Sequence, residues 1–206
     1  KSKLDKWDKF TNKIDNLKEE IQIGIVGKYI QLEDAYLSLS ESIKIAGIHN
    51  NKKTKIVWID SEEIEKKSTS EIQKLQECHG IVVAGGFGER GSEGKIQALK
   101  YCRKNNKPLL GICLGMQLMA IEYLREKLNN PQLTSQEFAK DSNKKAENYV
   151  INFLPGQDLT RKKGGTLRLG IYDCKLLANT KSKKIYKKDL IQERHRHRYE
   201  VNSNFK

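Results

Sequence analysis

The chain has 206 residues, 37% of them hydrophobic and 32% charged, which is enough for one good core and too apolar for a disordered polypeptide. Its apolar runs are strand-sized and fall far short of the roughly 18–20 residues that a membrane helix requires, so no membrane partner is expected. The net charge of +13 invites a nucleic-acid partner, but residues 161–206 hold 14 basic and 4 acidic side chains against 25 and 22 in residues 1–160. That tail has no aromatic interleaving for base stacking, so lysine-rich solvated loops are the better account and no nucleic acid is expected.

The amino terminus, KSKLDKWDKF, is charged throughout and has no leader pattern, which leads to the expectation of a cytoplasmic protein. Leu4, Trp7, Phe10, Ile14 and Leu17 recur at helical spacing and predict a helix up to about Glu20 that docks through a narrow apolar stripe. IQIGIVG is a short apolar run, as in a strand buried on both faces. A helical pattern follows from Asp34 to Ala46, with Gly47 placed as a stop. TKIVWID is a second strand, Ser68 to Gln76 a helix, and GIVVAGG a third strand. SEGKIQALKYCRKNNK supplies a helix, PLLGIC a fourth strand and LGMQLMAIEYLREKL the next helix. Strands alternate with helices at βαβ spacing, so the fold is α/β, a doubly wound, mostly parallel sheet with helices on both faces. Asn130 to Glu147 is polar and loop-like. TLRLGIYDCKLL and ERHRHRYEVN then alternate as antiparallel strands joined by lysine-rich turns, an antiparallel extension of the same domain.

The four cysteines, at 78, 102, 113 and 174, form no CxxC pair and do not cluster with histidine, so neither a disulfide framework nor a metal site is expected. Cys113 differs from the others. Gly111, Ile112, Cys113, Leu114 and Gly115 make a G-x-C-x-G where a buried strand ends and a helix begins, the cysteine form of a nucleophile elbow. The sharp turn forces its central residue into a strained conformation and presents the thiol at the carboxyl edge of the sheet. The next helix aims its free amides at that point, which favours a thiolate and can hold an oxyanion. The bland alternative, a small buried hydrophobe, suits Cys78, Cys102 and Cys174 better, because they lack flanking glycines.

A second cluster, GGFGERG from Gly85 to Gly91, satisfies G-x-G-x-x-G, but the acidic residue that a dinucleotide site needs about 20 positions on is replaced by Gly111 to Cys113. Two strands ending side by side, one with a thiol and the other with a loop of N–H donors, suit acyl transfer instead.

With those residues in place, VGKYIQLEDAYLS, VVAGGFGERGSEGKI, PLLGICLGMQL, GGTLRLG and ERHRHRYEVN, in that order, resemble the class I glutamine amidotransferases, specifically the amidotransferase domain of the CTP synthase family. The resemblance covers nearly the whole chain. It implies that Cys113 attacks the side-chain amide of L-glutamine to give a glutamyl thioester and ammonia. A synthase domain of the same polypeptide would use the ammonia and ATP to convert UTP to CTP. By matched motif it places Gly86 in the glutamine-binding loop with Gly85 close to the oxyanion, and Leu114, Gly115, Met116 and Gln117 around the pocket, Leu114 offering its backbone N–H. Glu137, in TSQEF, would face the glutamine amino group, and Arg198 would hold its carboxylate. An amino acid does call for one anion and one cation, and an arginine fork suits a carboxylate. The competing readings are a solvated loop acid for Glu137 and a charged edge strand for Arg194, Arg196 and Arg198, all three on one face with His195 and His197 on the other.

The chain also departs from the family. A cysteine hydrolase needs a base, usually histidine, and none of His49, His79, His195 and His197 matches the family's His-Pro-Glu motif. Ala84 stands where the family usually has proline. The resulting expectation is a fragment: residues 1–20 as a linker helix from an absent synthase domain, and 21–206 as an amidotransferase domain lacking its C-terminal end and inactive alone. No cofactor is expected in this domain, with ATP and Mg serving the synthase domain, and a homotetramer is expected of the whole enzyme. The alternatives are another class I amidotransferase or cysteine hydrolase, or a non-catalytic regulatory or nucleic-acid-binding module.

Overall fold

The chain is described by a computed structural model over residues 4–141, 145–154 and 168–205. Four parallel strands form the main sheet: β1 (Glu20–Gly27), β2 (Lys53–Asp60), β3 (Gly80–Val83) and β4 (Leu109–Gly111), in the order β2-β1-β3-β4. The all-apolar β3 is buried along its whole length, as is the second half of β1, which is why both runs lack polar alternation. The connecting helices are α2 (Leu37–His49), α3 (Ser61–Glu65), α4 (Thr69–Glu77), α5 (Ser92–Lys104) and α6 (Leu114–Lys127), in line with the expected α/β architecture.

Two local expectations change here. Gly47 does not stop α2, which runs on to His49 after a 3-10 turn at Glu33–Tyr36. A Cβ at Gly47 would lie 1.9 Å from Thr54 Oγ1 and 2.9 Å from the Lys52 carbonyl, so this glycine lets the helix approach the sheet closely. Helix α3 was not anticipated. Its start is an N-cap, with Asp60 Oδ1 accepting from the N–H of Glu62 at 2.8 Å and of Glu63 at 3.4 Å.

The antiparallel part is two small sheets. One joins β5 (Thr134–Ser135), β6 (Tyr149–Phe153) and β9 (Tyr199–Val201), with β5 parallel and β9 antiparallel to β6. The other pairs β7 (Arg168–Lys175) antiparallel with β8 (Leu190–His197), and α7 (Lys181–Tyr186) fills the lysine-rich connection. ERHRHRYEVN is therefore not one strand: it breaks at Arg198, which lies in a bend between β8 and β9 and so leaves the face shared by Arg194 and Arg196. The stretch after Asn130 is not simply a polar loop either. Leu133, Thr134, Ser135 and Phe138 are buried, and Leu133 and Phe138 join Val150, Leu118 and Ile121 in the main core. Residues 164–167, which open GGTLRLG, lie outside the described residues.

Helix α1 (Asp5–Asp15) is shorter than expected and touches the end of α2, where Phe10 lies 6.4 Å from the His49 ring and Lys13 donates to the His49 carbonyl. Leu4, Trp7 and Ile14 of its stripe are exposed. No helix among the described residues is long and apolar enough to cross a membrane.

Candidate active site

Cys113 sits between β4 and α6 with φ 53° and ψ −112°, and its residue is exposed. Left-handed φ is disfavoured for a residue with a Cβ, so the surroundings must hold it there. They do so through the two flanking glycines. A Cβ on Gly115 would stand 2.1 Å from the Val83 carbonyl oxygen, and one on Gly111 would meet Met119 Sδ at 2.5 Å and the Met116 nitrogen at 2.7 Å. The amino end of α6 is thus pressed onto the ends of β3 and β4, and the chain has room only for the sharp turn that lifts Cys113 out. Cys78 and Cys102 are buried in the core and Cys174 is half-buried on β7. Burial pushes the Cys102 thiol up to about 11, which leaves it an inert core group.

The glycine loop lies beside the elbow because β3 and β4 are neighbours, with Val83 opposite Gly111 and the Ile112 N–H donating to the Val83 carbonyl at 3.0 Å. A Cβ on Gly85 would be 3.3 Å from Cys113 Cβ and 4.0 Å from its Sγ. Gly88 at φ 78° and Gly91 at φ 73° adopt the left-handed backbone that glycine tolerates. The Ala84 N–H donates to the Val26 carbonyl at 3.0 Å, a bond that proline could not make. Among the described residues the N–H groups of Gly85, Gly86, Phe87 and Leu114 have no acceptor, and of these residues Gly85 and Leu114 adjoin Cys113.

Two lysines that sequence reasoning passed over hold this loop from behind. Lys95, 1% exposed, donates to the Ala84 carbonyl at 2.8 Å and to that of Gly85 at 3.4 Å, and Lys28 donates to the Phe87 carbonyl. Burial, and then the nearby charge of Lys28, lower the Lys95 ammonium to about 8, partly offset by Cys113. The one available signal was a lysine in the first turn of α5, where a cation opposes the helix dipole.

On the other side of the loop, Glu137 lies in a 3-10 turn (Gln136–Asp141), where its Oε1 accepts from the Gly88 N–H at 2.9 Å and its own N–H donates to Ser135 Oγ at 3.1 Å. Arg198, in the bend before β9, is half-buried. Both act on Tyr199, whose ring stacks on Phe153 at 4.8 Å. Burial and then the Glu137 carboxylate push the Tyr199 hydroxyl up to about 12, against the Arg198 charge, so both charges are felt at that hydroxyl. The buried side chains of Leu114 and Gln117 face inward, Gly115 is packed under Val83, and Met116, 47% exposed, stands on the open side of α6.

The histidines are engaged elsewhere. His79 Nδ1 accepts from the Gln22 N–H at 3.1 Å, and His49 packs near Phe10. His195 Nδ1 lies 2.9 Å from His197 Nε2, whose own Nδ1 is 2.9 Å from the Tyr199 carbonyl oxygen. Among the described residues no hydrogen bond joins a histidine to Cys113.

Comparison with known proteins bears directly on this geometry. The family described as glutamine amidotransferase class-I matches residues 31–206. The CTP synthase of Clostridium beijerinckii is 46% identical over 200 residues, covering 97% of this chain and 36% of that protein. That of Bacillus subtilis is 44% identical over 205 residues, covering 100% of this chain and 37% of the relative. The chain therefore spans little more than a third of the length of these relatives. Among solved structures, the glutaminase domain of Trypanosoma brucei CTPS with bound acivicin superposes with a TM-score of 0.76 at 37% identity, covering 90% of this chain and 69% of that one.

Proposed function

The chain belongs to the class I glutamine amidotransferases, and on that footing we propose that it is the glutaminase part of a CTP synthase. The observation that carries the reading is the exposed Cys113, held at φ 53° between two glycines that tolerate no Cβ and bordered by the unpartnered N–H groups of Leu114 and the Gly85 loop.

In this reading the Cys113 thiolate attacks the side-chain amide carbon of L-glutamine, forming the C–S bond while the carbonyl becomes an oxyanion. The N–H groups of Gly85 and Leu114 hold that oxyanion, aided by the positive end of α6. The intermediate collapses by breaking the C–N bond, and the departing nitrogen takes a proton to leave as ammonia. Water then cleaves the thioester, releasing glutamate and the thiol. Glu137 takes the substrate ammonium and Arg198 its carboxylate, with Gly86, Gly115, Met116 and Gln117 shaping the pocket. The Glu137 bond to the Gly88 N–H, with the opposed effects of the Glu137 and Arg198 charges on the Tyr199 hydroxyl, supports this assignment. Proton transfer falls to the family's His-Pro-Glu histidine, a motif that none of the four histidines here matches. The ammonia would serve a synthase domain of the same polypeptide in a tetrameric enzyme, where ATP with Mg phosphorylates UTP at O4 and ammonia displaces the phosphate.

The test is covalent labelling of the full-length protein with a diazoketone analogue of glutamine. A single adduct on Cys113, suppressed by L-glutamine and absent from Cys113→Ala, is the expected result. No adduct together with strong, salt-dependent RNA or DNA binding would overturn the proposal.

A further inference from the structure

Lys95 stands where ordinary stability arguments disfavour a cation. It is 1% exposed, it lies in the first turn of α5 where the helix dipole opposes positive charge, and the Lys28 ammonium is near enough to repel it. Among the described residues no carboxylate pairs with it. Glu65, on the adjacent α3, accepts from the Gly94 N–H at 3.1 Å. A methionine would fill the same space without these costs. What the ammonium does contact is the glycine loop: the carbonyls of Ala84 and Gly85, with the position of a Cβ on Gly86 only 3.6 Å from Nζ. Lys28 takes the Phe87 carbonyl, and Glu137 receives the Gly88 N–H.

Peptide geometry turns those contacts into an orientation. In a trans peptide the carbonyl of one residue and the N–H of the next point in opposite directions, and the described chain has no cis bonds. Holding the Ala84, Gly85 and Phe87 carbonyls toward the two ammonium groups therefore turns the Gly85, Gly86 and Gly88 N–H groups away from them. Gly88 gives its N–H to Glu137, and the other two have no acceptor. A cation on a carbonyl also polarises its peptide and strengthens the N–H as a donor. We propose that Lys95 and Lys28 form a clamp that positions the Gly85–Gly86 amides for the oxyanion, with Lys95 as the principal positioning residue. The proposal rests on Cys113 being the glutaminase nucleophile.

Lys28→Met and Lys95→Met, singly and together in the full-length protein, test the clamp by three readouts. These are glutamine hydrolysis, alkylation of Cys113 by iodoacetamide, which builds no oxyanion, and amide hydrogen exchange over residues 84–88. Each single change is expected to lower kcat about five- to tenfold and the pair about fiftyfold, with KM within about threefold and alkylation within about twofold. Exchange of the loop amides that have acceptors, those of Ala84 and Gly88, should accelerate at least about tenfold in the pair. Lys95→Gln, which keeps a neutral N–H donor, should recover part of the loss and stands in for Lys95→Met should that variant not fold. A double variant with kcat within twofold of wild type, or with unchanged loop exchange, overturns the clamp. So does a parallel fall in alkylation, which would put the effect on the thiol. Wild-type protein unable to hydrolyse glutamine defeats the glutaminase reading alone, since loop exchange still judges the clamp.

Discussion

Replacing Cys113, the proposed nucleophile, by glycine should make this protein more stable while abolishing the proposed chemistry. Cys113 is held at φ 53° and ψ −112°, a conformation costing a residue with a Cβ about 1–3 kcal/mol. Glycine is achiral, so for it this conformation is equivalent to its mirror image, ordinary extended backbone, and carries no steric cost, but glycine brings about 0.5–1 kcal/mol of extra chain entropy in the unfolded state. The thiol is exposed, so its removal sacrifices little buried surface. The balance is a gain between about 0 and 2.5 kcal/mol with a midpoint near 1, or a rise in Tm of about 2–4 °C at that midpoint for a domain of this size. Cys113→Ala keeps the Cβ, and with it the strain, and should unfold within about 0.5 kcal/mol of wild type. Both variants lose the covalent adduct, so the comparison isolates backbone strain from catalysis. Calorimetry and urea unfolding of the three proteins at one pH decide it. Glycine and alanine variants that unfold at the same midpoint would show that the elbow is not strained, and the account of why Gly111 and Gly115 flank it would fail.

The neighbouring glycine and the buried lysine give two further outcomes. Gly115→Ala puts a methyl 2.1 Å from the Val83 carbonyl oxygen, which already accepts the Ile112 N–H, so α6 must back away from β3. Urea unfolding should show a loss of about 2–3 kcal/mol and Cys113 labelling should slow more than tenfold; an unchanged midpoint contradicts the packing described. For Lys95, burial lowers the ammonium from 10.5 to about 8 in the folded state. Below pH 8 both states hold the proton and the folded state bears the whole burial penalty. Between pH 8 and 10.5 the unfolded chain binds more protons, so stability rises with pH. The shift caps the gain at about 3 kcal/mol, and bonds from the ammonium to two carbonyls reduce it to about 1–2. Wild type should therefore gain that amount relative to Lys95→Met between pH 7 and pH 10. An equal difference at both pH values refutes the buried charge.

What could be read in the chain was whatever repeats along it. Strands β1 to β4 and helices α2, α4, α5 and α6 announced themselves by period, and the elbow by two glycines at fixed distance from a cysteine, because a sharp strand-to-helix turn excludes a Cβ at those places wherever it occurs. A glycine that lets a helix touch a strand looks the same in sequence as one that ends a helix, so Gly47 reads as a stop although a Cβ there would lie 1.9 Å from Thr54 Oγ1. Alternation carried ERHRHRYEV across Arg198 as one strand, since nothing local marks a bend that exists because β9 pairs with β6 and β8 with β7. Lys95 was the least visible of all. A lysine in the first turn of a polar helix ordinarily reads as solvated. Its burial depends on carbonyls at the end of β3, which reach it only through the way α5 packs. The residues that chemistry attacks with are legible because the backbone needs a signature to present them. The residues that hold the attacking geometry in place carry none, since any side chain that converges from another element can do it, and the cost of burying one is written only in the fold.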